Sequence, residues 1–197
     1  DEAVRERVQE YAGYTLIHDA RFQRAAMWIG SGANGKGVLA LVLQALHRNV
    51  AAVDLGNLDG FKLANLPDAS LIFCDEAPSG KVGESHIKGL IAGSKMPIQR
   101  KFKDTLDVEV TAKWLILTNQ VPAIQDTSEG FWRRMDIVPF SVTIPESEWD
   151  PLLANRIVKD ELQGVLPWAL GGLERLLARG RFDPVKPLAM QATDLAA

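Results

Sequence analysis

Residues Gly30-Ser31-Gly32-Ala33-Asn34-Gly35-Lys36 fill the first seven positions of the Walker A pattern, G-x-x-x-x-G-K. They stand directly between the apolar run Ala25-Ala26-Met27-Trp28-Ile29 and a stretch from Lys36 to His47 in which nearly every position is apolar. That order reads as a buried strand, a glycine-rich turn and a helix packed on a sheet. The chain is therefore expected to be α/β, a P-loop nucleoside-triphosphatase with a central parallel sheet flanked by helices. In such a loop the glycines let the backbone curl so that successive N–H groups face phosphate oxygens, and the helix amino terminus adds positive potential. Gly30, Ser31, Gly32, Ala33, Asn34, Gly35, Lys36, Gly37 and Val38 are the expected nucleotide-binding residues, with Lys36 supplying a full charge. Gly37 departs from the pattern, because a Ser or Thr hydroxyl normally ligates magnesium at that place.

A second buried strand, Ser70 to Cys74, ends in Asp75-Glu76, the Walker B form of apolar residues followed by two acids. An acidic strand end taken alone is more often a solvated turn. Downstream of a phosphate loop it delivers Asp75 toward the metal, while Glu76 can orient or deprotonate the attacking water. The expected cofactors are ATP and Mg2+, with Asp75 as the metal ligand. A third apolar strand, Lys113 to Thr118, also ends in a polar group, Asn119, which can hydrogen-bond both a γ-phosphate and the lytic water. Phe131-Trp132-Arg133-Arg134-Met135 follows, before a further strand over Asp136 to Val142. Arginine suits the bracing of a γ-phosphate across a subunit boundary, and the sequence does not choose between Arg133 and Arg134.

The rest of the chain frames these motifs. Asp1 to Tyr14 and Ser85 to Ala92 read as helices, and Pro97 to Val110 alternates apolar with charged residues as a hairpin insertion would. Beyond Pro151 the pattern is helical, with Leu152, Leu153, Ile157, Leu162, Leu166, Trp168, Leu170, Leu173, Leu176 and Leu177 on repeating faces. The expected division is a helical lead-in over 1–20, an ATPase core over 21–145 and a helical segment over 146–197. At 197 residues with 47% hydrophobic content, the chain can bury one substantial core. A formal net charge of −3 gives no positive field over the whole surface, so any DNA contact must come from a local patch. The lone Cys74 cannot form an internal disulfide, and with three scattered histidines it cannot complete a four-ligand zinc site. No apolar run approaches the ~20 residues that span a bilayer, and no signal-peptide plan is visible. A cytoplasmic location is expected. The chain opens without methionine in helix-like sequence, as a piece of a longer protein would.

Taken in order, the loop Gly30 to Lys36, the acids Asp75-Glu76, a Lys/Arg hairpin, Asn119 and Phe-Trp-Arg-Arg resemble the superfamily-three helicases, which are AAA+-like ring motors. The set is most similar to the carboxy-terminal ATPase of phage and plasmid primase-helicases, and also to the poxvirus primase-helicase. The likeness covers about residues 10–180, including Trp168-Ala169-Leu170-Gly171-Gly172-Leu173. It implies self-association into a ring, commonly a hexamer, that hydrolyses ATP to translocate on single-stranded DNA in phage or bacterial replication. It further implies a primase domain elsewhere in the full-length chain, and DNA-contacting cations at Lys88, Arg100, Lys101 and Lys103. Two other readings stay open on the motifs alone: a P-loop small-molecule kinase, and a nucleotide-gated assembly module. The first lacks a reason for a polar strand end followed by an arginine pair, and the second has no use for Glu76.

Overall fold

The computed structural model describes residues 2–56, 65–77, 84–98, 106–120 and 129–183. Its centre is a five-stranded, wholly parallel sheet of β1 (Ala25–Ile29), β2 (Val50–Ala52), β3 (Leu71–Cys74), β6 (Lys113–Thr118) and β7 (Met135–Pro139), in the order β2-β3-β6-β1-β7. Around it lie α1 (Glu2–Thr15), α2 (Lys36–Ala45), α3 (Glu84–Ile91), the short α4 (Glu129–Trp132) and α5 (Leu153–Arg156), and α6 (Leu162–Arg179). β4 (Lys95–Ile98) and β5 (Leu106–Glu109) form a separate antiparallel hairpin, two residues earlier at its start than the sequence alternation suggests. This is the expected α/β P-loop architecture with its hairpin insertion.

Strand alternation sends successive side chains to opposite faces, and helices cover both. On one face Met27, Ile72, Trp114, Ile116 and Ile137 pack with Ile87 and Leu90 of α3 and Phe131 of α4. On the other, Trp28, Leu71, Leu115, Leu117 and Val138 meet Tyr11 and Tyr14 of α1, Leu43 of α2 and Leu176 of α6. Because β1, β3 and β6 are covered on both sides, their sequences are nearly continuous apolar runs, whereas edge strand β2 ends exposed at Ala52.

The amino-terminal helix is fixed by charges that its sequence would place in water. Arg7 and Glu10 are both only 4% exposed. Arg7 donates to Asp136 on β7 at 2.8 Å, while Glu10 accepts from Arg179 at 2.7 Å and Arg175 at 3.2 Å on α6. The two helices nearly touch backbone to backbone, since a Cβ at Gly13 would lie 2.4 Å from the Ala169 carbonyl and one at Gly172 would lie 2.4 Å from that of Gln9. The carboxy-terminal apolar positions are only partly core. Ala169, Leu173 and Leu176 are buried, but Leu152, Leu153, Leu166, Trp168, Leu170 and Leu177 remain exposed. The sheet is already covered by α1 and α2, leaving one face of α6 to pack.

Beneath α2 the His47 imidazole bridges the hydroxyls of Thr15 at 3.0 Å and Ser70 at 3.2 Å. Burial, with a smaller push from the Lys113 ammonium, lowers its pKa to about 4. The unfolded chain then binds the extra proton between pH 6.5 and 4 while the folded chain does not, so stability falls as pH drops through that window. We expect the wild type to lose about 2 kcal/mol more than His47→Gln between pH 7 and 4.5, a figure below the full shift because the ring is part-exposed. Urea unfolding at the two pH values checks this, and equal losses would remove His47 from the account.

Candidate nucleotide site

All the parallel strands end on one edge, and that edge collects the phosphate loop, the two acids and Asn119, as ligands of open α/β sheets are collected. Gly30 follows β1, the loop runs through Gly35, and Lys36, Gly37 and Val38 open α2. The loop is shaped by left-handed backbone at Gly32, Ala33 and Gly35, with φ of 107°, 47° and 77°. Gly30 admits no side chain, because a Cβ would stand 2.2 Å from the Asn34 amide and 2.5 Å from the Phe140 carbonyl. Asn34 is the internal brace: its amide donates to Phe140 O at 3.1 Å and its Oδ1 accepts the Lys36 N–H at 3.3 Å. A further bond, Ile144 N–H to Ala33 O at 2.7 Å, ties the chain after β7 to the tip of the loop.

Lys36 is 7% exposed. Its ammonium donates to Gly30 O at 2.8 Å, Asn119 Oδ1 at 3.1 Å and Thr118 O at 3.4 Å. The contact with Asn119 follows from strand order, since β6 is the direct neighbour of β1 and pairs Thr118 with Ile29. β3 lies one strand further out and pairs Cys74 with Ile116, which brings Asp75 and Glu76 level with the last residues of β6, along its other edge. Both acids are exposed. Glu76 has left-handed backbone, φ 64°, and the next residue is held by Ala77 N–H to Leu117 O at 2.9 Å. Cys74 beside them is buried, its thiol pushed up to about 11 by that burial, and takes no reactive part.

The two arginines stand apart from this group. Met135 pairs with Ala25 at the start of β1, whereas the phosphate loop leaves its end, so Arg133 and Arg134 lie at the opposite edge of the sheet, ~13 Å along the strand. The structure also separates their surroundings. Arg134 is half-buried and donates to Gly130 O and to Gln23 Oε1, the latter at 3.2 Å. Arg133 is exposed and makes no hydrogen bond or ion pair among the described residues. Lys88 is half-buried on α3, and Arg100, Lys101 and Lys103 lie outside the described residues.

Of the two exposed acids at this edge, Asp75, the one next to the strand, is the residue that would hold a magnesium ion brought with the nucleotide, and the ion would supply charge neutralisation at phosphate oxygens. No cluster of three His, Cys, Asp or Glu that could hold a metal occurs among the described residues. Gly37 contributes no oxygen, yet a Cβ there would meet nothing within 4 Å, so Gly37→Ser is expected to fold normally. Its hydroxyl should lower the magnesium midpoint for nucleotide binding by roughly three- to tenfold, about one hydrogen bond's worth. Magnesium titration of nucleotide binding checks this, and an unchanged midpoint would show water serving equally well.

Sequence reasoning missed how the segment after β7 braces the loop, since neither the Asn34–Phe140 nor the Ile144–Ala33 contact leaves a local pattern.

Comparison with known proteins places these features in a family context. The C-terminal region of NrS-1 superposes with a TM-score of 0.63 at 16% identity, over 85% of this chain and 42% of that one. JCV helicase superposes with a TM-score of 0.51 at 13% identity, over 96% of this chain and 66% of that one. "Putative helicase 184R" of Invertebrate iridescent virus 6 is 26% identical over 140 residues, covering 61% of this chain. The chain spans 14% of that viral protein's length and about two fifths of the NrS-1 region. The fold is thus that of helicase-related domains, and among the described residues no helix is long and apolar enough to cross a membrane. The family described as "Family of unknown function (DUF5906)" matches residues 28–134, more than half of the sequence, from the end of β1 to the arginine pair, and the chain belongs to it.

Proposed function

We propose that this chain is the ATP-driven motor of a DNA helicase of the superfamily-three type, from a phage or plasmid replication primase-helicase, with residues 21–145 as its ATPase core and 146–197 as a helical segment. The observation that carries the reading is the meeting of Lys36 with Asn119 on a parallel sheet whose next strand ends in Asp75-Glu76. A loop and lysine alone would bind phosphate. A polar strand end beside the lysine and a water-activating acid one strand further out are what hydrolysis needs.

In this reading the loop N–H groups and Lys36 hold the β- and γ-phosphates, Asn119 orients the γ-phosphate and the water, and Glu76 takes the water's proton. Arg133 is the finger. It lies too far from the loop of its own subunit to serve it, and it is exposed where a neighbouring subunit would meet it. Such an arrangement requires a ring, for which a hexamer is the proposal, and the DNA grip falls to Lys88, Arg100, Lys101 and Lys103.

The test is the ATPase rate with and without single-stranded DNA, measured alongside the native mass of the particle. A multimer whose turnover rises with DNA is the expected result. Phosphoryl transfer to a small molecule by a monomer, or turnover indifferent to DNA, would overturn it.

A further inference from the structure

We infer that the apolar groove beside the phosphate loop is the slot for the nucleotide's base, which stacks on Trp149 without being selected by side-chain hydrogen bonds. The inference rests on the nucleotide reading above and adds what that reading leaves open, the choice among nucleoside triphosphates.

The groove has a volume of about 690 Å³, within the range of small-molecule sites. Its rim is the loop itself, at Ala33, Gly35 and Val38, and its far wall carries Ile144, Trp149 and Trp168. That wall is built. Ile144 N–H is bonded to Ala33 O, and the Trp149 indole N–H donates to Ile144 O at 2.9 Å. The polar edge of the indole is therefore anchored to a segment that is itself anchored to the loop, while the residue stays 55% exposed. An aromatic ring fixed by its one donor and left open beside a ligand is a stacking platform.

Charge decides what occupies the groove. Among the described residues its charged side chains are Glu148 and Asp150, both acidic, so phosphate is repelled from the groove and stays on the loop N–H groups and Lys36. A base and sugar hanging from those phosphates meet an apolar channel that begins at the same residues. Among the described residues no side-chain amide or hydroxyl lines it, and the Asp150 carboxylate is engaged by the Leu152 N–H and by Arg156. Strong discrimination between bases needs buried groups that the wrong base leaves unpaired. Stacking does not supply it, because every base has a π-face.

Calorimetric titration of the protein with ATP, GTP and inorganic tripolyphosphate tests the inference. ATP and GTP are expected to bind within about fivefold of each other. Trp149→Ala should weaken both about tenfold, in keeping with one lost base–aromatic stack, and leave tripolyphosphate unchanged, while Trp149→Phe keeps most of the affinity. A hundredfold preference for one base, or unaltered ATP and GTP binding by Trp149→Ala, would overturn it. Binding of neither ATP nor tripolyphosphate would instead overturn the phosphate-loop reading, and this inference with it. Because Trp149 is largely exposed, a folding defect in the alanine variant would show in its circular dichroism, and Trp149→Phe then decides by retaining affinity or losing it.

Discussion

Glu76→Gln is expected to bind ATP with near-normal affinity and to lose at least ~100-fold in hydrolysis, because the carboxylate matters only when water attacks. Gln keeps the size and the hydrogen-bonding reach but cannot take a proton. Glu76 is exposed and its side chain makes no hydrogen bond or ion pair among the described residues, so its loss should leave thermal stability unaltered. Lys36→Ala should behave differently. It removes an ammonium that already serves three oxygens in a nearly closed position, leaving Asn119 Oδ1 and two carbonyls without their donor. Affinity for ATP should fall by about a hundredfold, and turnover with it. Nucleotide binding by calorimetry and single-turnover hydrolysis separate the two variants. Near-normal turnover by Glu76→Gln would take that residue out of the chemistry.

Arg133→Ala should lower turnover by about a thousandfold, the usual scale for a finger supplied across an interface, with no loss of folding stability. Arg134→Ala should do the reverse, costing about 1–3 kcal/mol of stability because the Gly130 carbonyl and Gln23 lose a part-buried donor. Mixing Arg133→Ala with Lys36→Ala subunits should restore part of the activity, since some interfaces then pair a sound pocket with a sound finger. Absence of rescue in particles shown to exchange subunits would return Arg133 to the solvent.

How far such roles could be read from sequence depended on how local their causes are. β1 and β6 appear at their observed limits because a strand buried on both faces is an apolar run closed by glycine or a polar residue. β2 does not appear, because Val50-Ala51-Ala52 carries no pattern and exists through its pairing with β3. The docking of α1 is equally hidden, since Arg7 and Glu10 read as solvated until Asp136, Arg175 and Arg179 arrive from over a hundred residues away. Within the site, the loop and the acids are linear motifs. The clasp of Lys36 by Asn119 is not one, for it requires knowing that β6 lies next to β1. The different surroundings of Arg133 and Arg134 likewise depend on Gln23 and on the burial of one guanidinium, neither visible in the local sequence. The leucines of α6 mislead in the other direction, as their spacing is that of a core helix while several of them face water.

That β6 separates β1 from β3 also sets a length scale for the chemistry. Neighbouring strands are held about 4.8 Å apart by backbone hydrogen bonds, so β1, which leads into the phosphate loop, and β3, which leads into the acids, stand ~10 Å apart whatever side chains they carry. The main chain of β6, with Trp114, Leu115 and Ile116 locked into the core on its two faces, occupies that interval and acts as a ruler between the loop after β1 and the acids after β3. Side chains in the loops can tune the reach across the gap by fractions of an ångström. Its width belongs to the main chain, and point substitutions at the sheet's edge can only work within it.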